Sequence, residues 1–200
     1  MNFRQEFEPV EREQVLVCGP GVTAPQFEPG DFLLTHGRAW TSRIIRFGQA
    51  LRFRGEDAKY ARWNHAAIVV DEQGDLVEAL GAGVQKRHIS VYDGTEYRLV
   101  RISASAADRR QAAAFALWCL DQPYAFVTIG SIALSLLTGA KFTFAFDGQQ
   151  ICSGLVARAL ERTDAIFNRT PSHIMPADLA KYFGVEPPPK GTPKGAVPPP

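Results

Sequence analysis

The sequence predicts a single α+β domain in which a central antiparallel sheet packs against helices. Apart from one helical pattern at 39–53, short β-prone runs separated by turn residues occupy the chain from Gln14 to about Ile102, and helical patterns follow from Ser105 onward. Two of the runs flank a glycine-containing turn, which predicts a β-hairpin. Because amphipathic helices and sheets both bury an apolar face against a partner, we expect the helices to cover the sheet.

The composition is ordinary for a soluble globular protein and argues against several classes. The 200 residues suffice for one domain with a substantial core. The net charge is +1, and no basic stripe is interleaved with aromatic residues, so we predict no nucleic-acid partner. The three cysteines, Cys18, Cys119 and Cys152, give neither the pattern of a disulfide framework nor that of a paired-cysteine zinc site. We therefore predict neither a metal nor another cofactor.

The predicted domain covers residues 14–185, between a polar arm at 1–13 and a proline-rich tail at 186–200. The arm lacks the apolar core of a signal peptide. We expect a cytoplasmic protein, or one delivered by a phage particle or another route that does not use Sec. The arm and the tail are the segments suited to docking onto a protein partner.

The first predicted elements are two strands and a helix. Residues 14–18 form a short apolar run closed by glycine and proline, and residues 32–35 form another after the turn Pro29-Gly30-Asp31. Residues 39–53 carry apolar side chains at mixed helical spacing, with arginines between them. This pattern predicts an amphipathic helix.

A hairpin follows, with strands at residues 66–70 and 76–80 around a turn at 71–75. His65 opens its first strand and Glu78 lies near the end of its second. The sequence predicts that the glycines at 81 and 83 end the pairing, and that further strands occupy residues 84–91 and 97–102.

Helices are predicted for the rest of the domain. Ser105 and Asp108 form a capping box for a helix that runs to about residue 120. The uncharged run at 125–140 is shorter than the ~20 apolar residues that span a bilayer. We therefore predict a buried or pocket-lining helix there and no transmembrane span. Two more helices are predicted at 152–162 and 176–183.

Cys152 stands where a loop gives way to a helical pattern, and it is the candidate nucleophile. Leu155, Val156, Ala159 and Leu160 form an apolar face behind it. The first turn of a helix leaves backbone N–H groups unpaired and carries partial positive charge, and both effects favour a thiolate. A free cysteine is also often a small buried residue that packs under a helix. This segment alone leaves both interpretations open.

A cysteine nucleophile needs a base within hydrogen-bond reach and a third group that holds the base. Of the four histidines, His65 alone opens a predicted buried strand, and the hairpin returns Glu78 towards it. An ionised Glu78 would fix the tautomer and stabilise the imidazolium. A regular register centred on Gln73 places His65 opposite Gly81 and Glu78 towards the other face. The contact then requires a bulge or a shifted turn. Taken one at a time, His65 also fits a histidine at the end of a strand, and Glu78 also fits a carboxylate at the edge of a sheet.

Five short motifs follow one another in an order that resembles a known family. They are Pro29-Gly30-Asp31, residues 64–69, Val77-Glu78-Ala79 with Gly83-Val84, Pro123-Tyr124, and residues 151–156. Over residues 28–182 the chain resembles the circularly permuted branch of the NlpC-type papain-like cysteine peptidases, the YiiX/YaeF-like proteins. These are related to the lecithin–retinol acyltransferase group. The resemblance implies a papain-like fold, with Cys152 as nucleophile, His65 as base and Glu78 as the residue that orients the base.

Two positions depart from the family pattern. Asn64 occupies a position where the family commonly has a serine. Pro123-Tyr124-Ala125 occupies the place of the family's Pro-Tyr-Asp motif, so any role of that aspartate is lost. We assign Asn64 and Tyr124 to oxyanion or substrate binding. The backbone N–H of Cys152 is the main oxyanion donor, because it lies at the start of the helix.

The sequence therefore predicts a cysteine hydrolase that cleaves an amide or ester bond through a thiol acyl-enzyme. The resemblance favours peptide amides of the bacterial cell wall. The uncharged run at 125–140 and the kinship with lipid acyltransferases keep open a lipid or acyl substrate, for an amidase or an acyltransferase. A structural or binding component, for example of a virus particle, also stays open. The presence of cysteine, histidine and glutamate argues against that alternative, and these three residues lack the supporting ligand cluster of a metal site.

Overall fold

The computed structural model describes residues 14–22, 25–36, 49–50, 52–122, 151–165, 167 and 170–187. These residues form an α+β fold built on one six-stranded antiparallel sheet, as the sequence predicts. The predicted arm at 1–13, the predicted helix at 125–140, the end of the tail from residue 188 and most of the predicted helix at 39–53 lie outside the described residues.

The strands are β1 (Gln14–Cys18), β2 (Phe32–Thr35), β3 (His65–Val69), β4 (Asp75–Leu80), β5 (Gly83–His88) and β6 (Tyr97–Arg101). Their order across the sheet is β1-β6-β2-β3-β4-β5, and every neighbouring pair is antiparallel. The strands that carry His65 and Glu78 are therefore adjacent and lie inside the sheet.

Side chains alternate between the two faces of the sheet, and both faces are covered. One face enters the main core with the helices through Phe32, Leu34, Ala66, Ile68 and Val100. The other face forms a second cluster from Leu33, Ala67, Leu76, Leu99, Ile89, Tyr92 and Tyr97. Because apolar groups pack on both sides, β2 is buried along its whole length.

The described α-helices are α1 (Ala106–Trp118), α2 (Cys152–Leu160) and α3 (Pro176–Tyr182). The N-terminus of α1 is capped as predicted, since the Ser105 hydroxyl accepts the Asp108 N–H at 3.2 Å. Helix α2 packs against β3 and α1, while α3 packs against the 3-10 helix Gly55–Arg62. None of the described helices combines the length and apolar composition that crossing a bilayer requires.

The chain after β4 differs from the prediction. Instead of ending the pairing, Gly81 and Ala82 form a two-residue turn that joins β4 to β5, with Leu80 opposite Gly83. The turn is possible because Gly83 adopts a φ of 117°, a conformation open to glycine. Strand β5 then ends at His88, before the predicted end at residue 91, because Ile89–Tyr92 forms a 3-10 helix.

Candidate active site

The site lies where β3 and β4 separate. The ladder between them consists of the pairs Ile68–Val77 and Val69–Leu76, whereas residues 65–67 pair with β2 on the other side. Backbone N–H groups point alternately to the two neighbouring strands. The N–H of Ala66 therefore points the same way as that of Val70, which donates to the Asp75 carbonyl of β4 at 2.8 Å. Since the ladder has ended, the Ala66 N–H can serve the site instead.

The register of this hairpin places His65 and Glu78 on one face. Extending the observed pairs sets His65 opposite Leu80 and Glu78 opposite Ala67, so the two site residues are diagonal neighbours. The prediction of a register centred on Gln73 was wrong by one residue. The shifted turn that the His–Glu contact requires is therefore present.

Glu78 is fully buried and serves as a hydrogen-bond acceptor for two residues. Its Oε2 atom lies 2.5 Å from His65 Nε2 and accepts a hydrogen bond from the Tyr92 hydroxyl, also at 2.5 Å. Its Oε1 atom lies 3.4 Å from Arg87 Nη1. Burial alone would raise the pKa of Glu78, but the contacts with His65, Tyr92 and Arg87 outweigh it and lower the pKa. Glu78 is therefore an ionised, acceptor-only group.

Glu78 fixes the orientation and tautomer of His65. Since a carboxylate only accepts, His65 Nε2 carries a hydrogen and donates it. The second ring nitrogen, Nδ1, is left for the hydrogen bond between His65 and Cys152. Burial would lower the pKa of His65, but hydrogen bonds and charge from Cys152 and Glu78 raise it to about 10. The imidazole is therefore protonated at neutral pH.

Cys152 is the first residue of α2, with its side chain buried under the helix. Burial would raise the pKa of the thiol. The hydrogen bond and positive charge of His65, together with the backbone N–H groups of Ala66 and Ser153, outweigh burial and lower the pKa. The two ionisation shifts together favour a thiolate–imidazolium pair.

Close packing holds the first turn of α2 in place. The Ser153 hydroxyl donates to the Ile174 carbonyl at 2.6 Å. A Cβ atom on Gly154 would come within 3.0 Å of the Pro171 carbonyl oxygen, so this position needs a residue without a side chain. Ile151 is extended and supplies no capping side chain, and the backbone N–H of Ser153 in the first turn hydrogen-bonds to Cys152 instead.

The pKa values of the other two cysteines shift in the opposite direction to that of Cys152. Cys18 and Cys119 are buried, and burial is the largest influence that raises the pKa of each thiol. Cys119 follows α1 directly and Cys18 ends β1. Among the three cysteines, Cys152 alone has a lowered pKa.

Of the predicted site residues, the structure brings together Cys152, His65 and Glu78. Asn64 is buried directly before β3, and its backbone N–H donates to the Thr35 carbonyl at 3.1 Å; its assignment to oxyanion or substrate binding stays a prediction. Tyr124 lies outside the described residues. Within the part of the chain that the structure describes, no group of three or more His, Cys, Asp or Glu side chains could hold a metal ion.

Sequence reasoning missed Tyr92 and Arg87. Arg87 belongs to a charged run that is typical of an exposed strand. Tyr92 directly follows the predicted strand at 84–91 and belongs to no predicted element. A buried tyrosine usually finds a partner for its hydroxyl, but its position in the sequence does not indicate which one. Both residues reach Glu78 only because β5 and the 3-10 helix after it fold back beside β4.

This arrangement can perform nucleophilic chemistry at a carbonyl group. A cysteine whose pKa is lowered, an imidazole whose pKa is raised and a buried carboxylate lie in one continuous line of contacts. No protein-family model and no curated protein matches the chain significantly. What the site can do therefore has to follow from its own geometry.

Proposed function

We propose that this protein is a cysteine hydrolase that cleaves an amide or ester bond through an acyl-enzyme on Cys152. The observation that carries the proposal is the chain of contacts from the Cys152 sulfur through the His65 ring to the buried Glu78 carboxylate. A packing cysteine needs none of these partners. Their combination supports an activated nucleophile with a positioned acid–base group.

In the proposed reaction the Cys152 thiolate attacks the carbonyl carbon, and the C=O electron pair moves onto oxygen. The backbone N–H of Cys152, at the start of α2, stabilises the oxyanion. As the tetrahedral intermediate collapses, His65 gives its Nδ1 proton to the leaving amine or alcohol, and a thioester remains on the enzyme. His65, now neutral, takes a proton from water, which attacks the thioester. Expulsion of the sulfur restores the thiolate and the imidazolium, and Glu78 holds the ring throughout.

The order of the elements supports the more detailed assignment to a permuted NlpC-type, papain-like fold. The strand with His65 precedes the cysteine helix along the chain, and α2 packs directly on that strand. This is the order of the permuted branch that the sequence resembles. The same resemblance favours peptide amides of the bacterial cell wall as the substrate, and its kinship with acyltransferases makes lipid esters and amides the second class to test.

The decisive experiment incubates the protein with purified peptidoglycan and, separately, with phospholipid vesicles, followed by mass spectrometry of the products. We expect release of peptide fragments, no release by Cys152→Ala, and unchanged release by the matched control Cys18→Ala. Circular dichroism checks that both variants fold. Turnover by folded Cys152→Ala would refute the nucleophile, and products from phospholipid alone would move the protein to the lipid class. No product from either substrate would favour a binding or structural role.

A further inference from the structure

Among the described residues, the Tyr92 hydroxyl hydrogen-bonds to the proposed site through one atom, the Oε2 oxygen of Glu78 that also holds His65. Both hydrogen bonds to Oε2 are 2.5 Å long. Tyr92 is 2% exposed, so no water competes for this contact. Arg87 reaches the other oxygen of Glu78, at 3.4 Å. This contact is an ion pair without a hydrogen bond, so the two hydrogen bonds from His65 and Tyr92 to Oε2 are what hold the carboxylate.

Local structure fixes the Tyr92 ring. Tyr92 ends the 3-10 helix Ile89–Tyr92, whose first N–H donates to the Gly74 carbonyl in the turn between β3 and β4 at 2.9 Å. The Tyr92 carbonyl accepts the Thr95 N–H at 2.8 Å. The hydroxyl is consequently anchored to the same hairpin that carries His65 and Glu78. A mobile surface tyrosine could not keep this geometry.

We infer that Tyr92 is a positioning residue for His65, because its hydroxyl keeps Glu78 ionised and turned towards the imidazole when the solution becomes acidic. This inference rests on the proposed function for its catalytic meaning. The charged and titratable groups that face Glu78 are His65 from β3, Arg87 from β5 and Tyr92 itself, with Cys152 of α2 beyond His65. Tyr92 remains a donor throughout, since burial and the neighbouring carboxylate raise the pKa of its phenol.

The direction of the effect follows from the same contacts. Burial pushes Glu78 towards its neutral form, and the Tyr92 hydrogen bond opposes it. Without the hydroxyl, Glu78 takes up a proton at a higher pH. His65, which is already protonated in acid, then loses the anionic partner that orients its ring. One hydrogen bond to a buried carboxylate accounts for a shift of about one pH unit.

Tyr92→Phe removes only the hydroxyl, and Tyr97→Phe is a matched control. The Tyr97 ring is also buried, lies 6.2 Å from that of Tyr92, and has its hydroxyl hydrogen-bonded to Cys18 rather than to Glu78. The protonation of Glu78 is followed by NMR of its side-chain carboxyl carbon, with Glu78→Gln to assign the signal, and the His65 ring signals report when the ring loses its carboxylate partner. We expect Glu78 to take up its proton at a pH about one unit higher in Tyr92→Phe and at an unchanged pH in Tyr97→Phe. The same protonation pH in Tyr92→Phe and the unmodified protein, or equal shifts in both variants, would overturn the inference.

Arg87→Gln provides a second variant if Tyr92→Phe does not fold. Arg87 lies on the outermost strand β5, with 19% of its side chain exposed, and its charge also lowers the pKa of Glu78. We expect the protonation pH of Glu78 to shift in the same direction, and an unchanged protonation pH would count against a carboxylate that its neighbours keep ionised. These titrations need no substrate. A shifted protonation pH in a protein without turnover would support the positioning role and refute the hydrolase. Turnover with an unshifted protonation pH would support the hydrolase and refute the positioning role.

Discussion

Replacing Glu78 with glutamine tests the line of contacts at its most buried member. Glu78→Gln keeps the shape of the side chain and one acceptor oxygen, but it removes the negative charge. The amide oxygen can still accept from His65 and Tyr92, but as a neutral and weaker acceptor, and the new amide NH₂ group then faces Arg87 as an opposing donor. The substitution therefore weakens the His65 contact without opening a cavity.

The size of the effect follows from the bond that is lost. A hydrogen bond to a charged group contributes about 1.5–3 kcal/mol. At 1.36 kcal/mol for each factor of ten in rate, kcat/KM falls by about 10- to 160-fold. The pH dependence also changes. Glu78 stabilises the imidazolium, so its neutralisation lowers the pKa of His65 from about 10, and the alkaline limb of activity moves to lower pH. His65→Ala should be more damaging, because it also removes the acid–base group.

The assay is kcat/KM against pH on whichever substrate the product analysis identifies, with NMR titration of the His65 ring beside it. Glu72→Gln is the matched control, because Glu72 is an exposed carboxylate in the turn of the same hairpin. A folded Glu78→Gln protein with unchanged kcat/KM and an unchanged alkaline limb would remove Glu78 from the mechanism. In that case the carboxylate would be only a partner for Tyr92 and Arg87.

Three further outcomes are expected. Iodoacetamide should label Cys152 before either of the other cysteines, because its pKa alone is lowered; peptide mass spectrometry showing equal labelling would argue against an activated thiol. The dependence of kcat/KM on pH should be bell-shaped, since activity appears as the thiolate forms, below the ordinary thiol pKa, and is lost as His65 deprotonates near pH 10. Gly154→Ala should lower the free energy of unfolding by up to about 2 kcal/mol, because crowding against Pro171 exceeds the gain in helix propensity. Gly94→Ala, where a Cβ meets open space, is its control in urea denaturation, and equal stability of the two variants would contradict the packing argument.

Much of the fold follows from local patterns in the sequence. Short continuous apolar runs predict the strands, because both faces of this sheet are covered by apolar groups. Ser105 marks the start of α1 because its hydroxyl accepts a backbone N–H there. Cys152 and His65 could also be identified from local patterns, because Cys152 is the first residue of a helix and His65 is the first residue of a strand.

The register between β3 and β4 could not be predicted from such patterns. It depends on Asp71, whose Oδ1 atom accepts the N–H groups of Gln73 at 3.0 Å and Asp75 at 2.9 Å and so fixes the shape of the turn. Apolar alternation allows a turn centred on Gln73 equally well. Tyr92 was missed for a related reason, because its contact with Glu78 joins two elements and leaves no periodic signal in either.

The shifted hairpin also sets a requirement on any distant relative of this protein. His65 and Glu78 are separated by 13 positions, and inserting or deleting one amino acid between them would turn one of the two side chains to the opposite side of the sheet. Evolution can therefore exchange the loop's residues far more freely than it can alter their number. Homologues that share this chemistry should preserve that interval even where little else in the sequence survives.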